Sequence, residues 1–154
     1  MAKVVKLNDF AKELKNYTGL KSKQIKAATA AGIAKSIPGL VEKSPVDQGF
    51  YAQSWNMSDT EVSILLGNFA PHSPIIEDGA RPFKPPITPL LAWAKRVLQD
   101  ASQPPEYSPA VMALAFGTQR KIMERGMLPK KILENELPQI IANIKEELEN
   151  AEQA

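Results

Sequence analysis

Cysteine is missing from all 154 residues, and histidine occurs once. The first absence removes disulfides, thiolate metal sites and cysteine nucleophiles, and it sets no redox compartment. The second leaves His72 as the one imidazole, and its Ala-Pro-His-Ser-Pro setting reads as a surface loop. Long apolar runs are missing too, since no window approaches the ~18 uninterrupted apolar residues of a membrane span. The opening MAKVVKLNDF has no apolar signal-peptide core, so the chain is expected to stay in the cytoplasm where it is made. No phosphate-cradling GxxxxGKS or GxGxxG run is present. Ser54 has no nearby base and no Gly-x-Ser-x-Gly elbow. Glu77 and Asp78 are adjacent carboxylates, but neighbours in sequence generally point apart and do not make an acid-base pair by themselves. Together with His72 they lack the ligand set of a closed metal site. The sequence therefore assigns no catalytic, cofactor-binding or metal-ligating residue, and an enzyme is not expected.

What the chain does have is length for one sizeable core and an uneven charge. The net charge of +2 hides a split between the ends. Residues 1–43 hold nine lysines against three acids, or +6, and residues 132–154 hold one lysine against six acids, or −5. Two readings stand. The charged stretches are the solvated faces of two terminal helices, or the basic and acidic ends meet, within one subunit or between neighbours. The basic stretch has no arginine and little aromatic interleaving, which argues against base-specific nucleic-acid readout.

Apolar spacing predicts a short helix over residues 7–17, with Leu7, Phe10, Leu14 and Tyr17 on one face. A longer helix is predicted over 21–43, kinked or interrupted at Pro38. Strands are predicted over 50–57 and 61–67, joined by a Ser58-Asp59-Thr60 hairpin loop. Ile75 and Ile76 form a short extended piece or one helical turn. The three prolines of residues 81–86 predict a stiff, extended link. Thr88-Pro89 and Ser108-Pro109 read as caps of two further helices, the second ending at Gly126. A last amphipathic helix starts near Pro129 or Pro138. The expected fold class is α+β: a small antiparallel sheet packed against several helices, with a long N-terminal helical region. The expected organisation is one domain, with a helical 1–43, an α+β core over 44–126 and a C-terminal helix over 127–154. Trp55, Val62, Ile64, Leu66, Trp93, Val97, Phe116 and Ile122 are the expected core. The basic and acidic ends are expected at contacts between subunits or proteins, as segments the core does not need.

The middle of the chain carries the strongest signal. Ser44-Pro45-Val46-Asp47-Gln48-Gly49-Phe50-Tyr51-Ala52-Gln53-Ser54 runs into Trp55. In it Asp47 suits a turn that accepts backbone hydrogen bonds, and Gly49 suits a positive φ. Further on stand His72, Ser73, Glu77, Gly79, Ala80, Arg81 and Pro82, then Pro85-Pro86-Ile87 and a Leu90-x-x-Trp93 helix. Trp55 and Trp93 read as large core anchors.

This arrangement resembles the neck, or tail-completion, proteins of tailed bacteriophages. The family pattern is similar to S/T-P-V-D-T-G-x-L-x-x-S, with Gln48 here for the threonine and Tyr51 for the leucine. A second family pattern, Y-A-x-x-x-E-x-G-T-R-P, is matched at Glu77, Gly79, Arg81 and Pro82, with His72, Ser73 and Ala80 as departures. The likeness spans roughly residues 8–149. It implies a virion structural protein that forms a six- or twelvefold homo-oligomeric ring at the head-tail joint. There it would meet a connector or head-closure protein on one side and a tail-terminator or tail-tube protein on the other. The alternative within the same resemblance is a tail terminator or another phage assembly protein. The resemblance further implies assembly in the host cytoplasm, residence in the virion neck, at most non-specific contact with packaged DNA, and no membrane.

Overall fold

The computed structural model describes residues 21–45, 47–60, 63–101 and 106–153. The helix predicted over 7–17 lies outside them. Among the described residues, six helices and one two-stranded antiparallel sheet make an α+β fold. The chain divides into two compact units. The first takes the described residues up to Glu77 and those from Lys131 onward, and the second is Asp78–Lys130.

In the first unit, helix α1 (Ser22–Glu42) begins where the Gln24 side chain accepts a hydrogen bond from the Lys21 N–H at 3.0 Å. Helix α2 (Phe50–Gln53) leads into strands β1 (Trp55–Asp59) and β2 (Ile64–Asn68), and helix α3 (Ser73–Asp78) follows. The strands pair from Trp55 opposite Asn68 to Asp59 opposite Ile64. After a passage through the second unit the chain returns as the C-terminal helix α6 (Ile132–Gln153).

Helices α1 and α6 lie antiparallel. Gly32 faces Ile144 so closely that a Cβ on Gly32 would sit 2.5 Å from the Ile144 Cα. That approach needs a residue without a side chain. Next to it the Asn143 amide donates to the Ser36 hydroxyl at 2.8 Å, and Ser36 donates to the Gly32 carbonyl at 2.8 Å. Toward the ends, Lys35 pairs with Glu146 at 2.7 Å, and Lys43 pairs with Glu136. The described part of the basic stretch thus meets the acidic one within one subunit. Leu40, Ile144 and Leu148 are fully enclosed, with Ile33, Tyr51, Trp55, Ile132, Leu133 and Ile140 around them. The hairpin adds Met57, Ile64 and Leu66, partly buried against this cluster.

Several expectations change here. The C-terminal helix is half of the main core rather than a dispensable segment, because its 3.6-period stripe faces α1 directly. Residues 50–53 are helical, not strand: Gly49 takes φ 75°, which turns the chain, and the Ser54 hydroxyl donates back to the Phe50 carbonyl at 2.7 Å. Helix α1 runs through Pro38 without interruption, and α6 begins at Ile132 and runs through Pro138. Of the two forms expected for Ile75 and Ile76, the helical one is found.

In the second unit, α4 (Ile87–Val97) packs on α5 (Pro109–Arg125) through Ala94, Val111 and Ala115. Leu90, Leu91, Trp93 and Leu114 are partly buried beside them. Ser108 caps α5 as expected, accepting from the Val111 N–H at 3.3 Å and donating to Asp100 at 2.6 Å. Thr88 is not the cap of α4, whose start lies two residues earlier than that cap implies: Pro86, at φ −57° and ψ 137°, is the last extended residue. Val97 and Phe116 are 53% and 51% exposed, not core. On α5 the buried pair is Val111 and Ala115, and Phe116 is one residue, about 100°, around the helix. Trp93 and Ile122 are half-buried, and Val62 lies outside the described residues. Gly126 ends α5 at φ 74°, and Ala80 and Met127 then exchange backbone hydrogen bonds of 3.0 and 2.8 Å.

Candidate functional site

The polar centre of the first unit is built around Tyr51. Its position follows from the turn before it: Gly49 in the left-handed region starts α2 and aims Tyr51 inward, where it is 3% exposed. The Asn68 amide, at the end of β2, donates to the Tyr51 carbonyl at 2.8 Å, and its Oδ1 accepts from the Ala70 N–H at 3.0 Å. One buried asparagine thus ties the end of the hairpin to α2.

The Tyr51 hydroxyl donates to Glu77 Oε1 at 2.7 Å. Glu77 Oε2 accepts from the Leu133 N–H at 3.2 Å, and the Glu77 carbonyl accepts from the Lys131 N–H at 3.2 Å. Glu77 is therefore a buried carboxylate set at the first turn of α6, where helix amides and the helix dipole favour negative charge. Burial pushes the Tyr51 hydroxyl pKa well above the ordinary tyrosine range, and the Glu77 hydrogen bond and charge push the same way. The Ser73 hydroxyl acts in the opposite sense. The proton accordingly stays on Tyr51, and both Glu77 oxygens are engaged by donors. This arrangement locks α2, α3 and α6 together.

Trp55 stands edge-on to Tyr51, with ring centroids 5.9 Å apart and planes at 84°. Its indole N–H donates to Ser44 Oγ at 2.7 Å, and Ser44 donates to the Leu40 carbonyl at 2.7 Å, at the end of α1. On the outer side of Tyr51 lies a notch of about 290 Å³ whose lining includes Pro45, Asp47, Gly49, Phe50 and His72. The His72 ring is 5.9 Å from those of both Phe50 and Tyr51.

Of the residues singled out in the sequence, Pro45, Asp47 and Gly49 lie together at this notch, and Trp55 and Glu77 lie behind it against Tyr51. Ser54 closes α2. Gly79, Arg81, Pro82 and Trp93 belong to the second unit. There Gly79 takes φ 76°, and a Cβ on it would meet the Met127 carbonyl oxygen at 2.4 Å. Arg81 and Pro82 are exposed.

The hub residues Tyr51, Asn68 and Ser44 were not anticipated. Ser44 and Tyr51 stand in the central motif, but nothing in its spacing marks them as hydrogen-bonding partners. Asn68 carried no signal beyond its place at a strand end. Among the described residues, no three histidines or acids are grouped to hold a metal ion, and no helix is long and apolar enough to cross a membrane. Comparison with protein-family models, with curated proteins and with solved structures gives no match.

Proposed function

We propose that this chain is a neck, or tail-completion, protein: a virion structural subunit that forms a ring where a phage head joins its tail. The reading rests on the resemblance of its two central motifs. One observation supports it most. The motif residues do the work of joints. Gly49 takes a positive φ in the bend that opens α2, Glu77 locks the start of α6, and Gly79 allows a backbone approach that a side chain would block. A ring subunit needs such rigid corners, because small errors in the angle of a repeated contact accumulate before the ring closes.

Deleting the gene from the phage or prophage that carries it tests the reading. Electron microscopy of the lysate is expected to show filled heads and separate tails, with joining restored by the gene in trans. Full tailed particles from the deletion would sink the neck assignment.

A further inference from the structure

We propose that the second unit, Asp78–Lys130, is an inserted arm that unfolds and refolds on its own while the first unit stays folded. The inference does not depend on the neck reading. It gives the subunit a built-in order–disorder element and places it in the chain.

The path of the backbone carries the first part. The first unit is made of residues on both sides of the arm. The chain leaves it after Glu77 and rejoins it at Lys131, whose N–H donates to the Glu77 carbonyl at 3.2 Å. These two chain ends are thus one hydrogen bond apart. They are also held from inside the first unit, because the Glu77 carboxylate accepts from Tyr51 and from the Leu133 N–H. The arm is pinned at its own base as well. Ala80 and Met127 exchange backbone hydrogen bonds, and a Cβ on Gly126 would collide with the Ala80 carbonyl oxygen. An opened arm is therefore a loop whose ends the first unit keeps together, which lowers the chain entropy lost when it closes again.

The packing carries the second part. Among the described residues the two cores share no side chain, and they differ in strength. The first unit encloses Leu40, Tyr51, Trp55, Ile140, Ile144 and Leu148. In the arm, the buried core is Ala94, Val111 and Ala115, three small side chains. Its larger residues stay open: Phe83, Val97, Met112, Phe116 and Met123 are each at least 41% exposed. Burial stabilises in proportion to the apolar area removed from water, so the arm gains less from folding than the first unit does. Cooperative units of one protein open separately, the weaker ones first. Two units with separate cores, each closed at its own base, keep that opening local. Elements that reshape on contact with a partner are drawn from this low-stability end, while the scaffold around them holds.

Hydrogen exchange of the full chain tests this. Backbone amides within α4 and α5 are expected to show protection roughly tenfold or more below that of amides within α1 and α6. Equal protection in the four helices, lost together as urea is added, overturns the proposal. A variant supplies a second measurement. Val111→Asp puts a carboxylate into the arm's core, where burial disfavours it. It is expected to abolish protection in α4 and α5 and to leave that of α1 and α6 within about twofold of wild type. The two tryptophans report the units separately, Trp55 the first unit and Trp93 the arm. In a Trp93→Phe background, Val111→Asp should leave the urea midpoint of Trp55 fluorescence unchanged. Protection kept in the arm, protection lost from α1 and α6 as well, or a lowered Trp55 midpoint overturns the proposal. None of these results bears on the neck reading, which gene deletion judges separately.

Discussion

A single buried pair, Tyr51 with Glu77, joins three helices, and its loss has a calculable direction. Glu77→Ala leaves the Tyr51 hydroxyl and the Leu133 N–H without their acceptor, at a cost of roughly 3 kcal/mol for two orphaned donors. Glu77→Gln keeps one acceptor oxygen and is expected to cost less, which urea unfolding of the two variants checks. The raised pKa of Tyr51 adds a pH signature. A tyrosine whose folded pKa lies above its unfolded value contributes stability that is fully present below the unfolded pKa, about 10, and is lost as pH rises through the folded value. Wild type is therefore expected to weaken above about pH 10, while Tyr51→Phe starts less stable at neutral pH and shows a flatter alkaline profile. Equal alkaline slopes in both proteins would show that another group causes the decline. At this scale the sequence was half legible. Gly49 read correctly as a positive-φ position because turn chemistry is local. Tyr51 and Glu77 did not pair on paper, because their contact spans 26 residues and depends on α6 arriving from the far end of the chain.

The elements obey their local signals except where packing overrides them. Ser108 and Gly126 bound α5 as their residue types dictate. Pro38 and Pro138 do not stop their helices, because the apolar stripes of α1 and α6 gain more from pairing along their length than one lost backbone bond costs. That cost remains at Pro138, which is exposed and lacks the N–H for an i−4 bond. Pro138→Ala is expected to stabilise the protein, by up to the ~3 kcal/mol that separates the two residues in a helix interior. A lower melting temperature for that variant would mean that Pro138 is shaped to its site. Gly32 tests the same helix pair from the other side. Gly32→Ala puts a methyl group against the backbone of α6, so Ser36–Asn143 and the Lys35–Glu146 pair must shift with it. A loss of roughly 1–3 kcal/mol is expected, the scale of overpacking. The helix phases were less legible than the helices themselves. On α5 the sequence offers apolar residues at both Ala115 and Phe116, and only the facing α4 decides which of them is inside.

At the scale of the molecule, the charge split between the chain's ends now has a physical place. Lysines of α1 meet glutamates of α6 along an apolar seam, so α1 and α6 are the two halves of one core. Exposed pairs such as Lys35–Glu146 contribute little by themselves, and the seam beneath them carries the stability. Cutting the chain before Ile132 is therefore expected to abolish the first unit. The cut removes Ile132, Leu133, Ile140, Ile144 and Leu148 from the core, together with the Leu133 amide that Glu77 holds. Each such side chain is worth roughly 2–5 kcal/mol when truncated, and a domain's whole stability is about 5–15 kcal/mol. Five losses on one seam come to about 10–25 kcal/mol, as large as or larger than that margin. The truncated protein should be insoluble or lack a cooperative unfolding transition. Neutralising the exposed Glu149 and Glu152 to glutamine should leave unfolding within about 0.5 kcal/mol of wild type, as surface changes generally do. Circular dichroism melts of the two variants separate the possibilities. A cooperative melt from the truncated chain would show that α1, the hairpin and α3 close a core without α6, and would return the acidic end to the surface role that its composition first suggested.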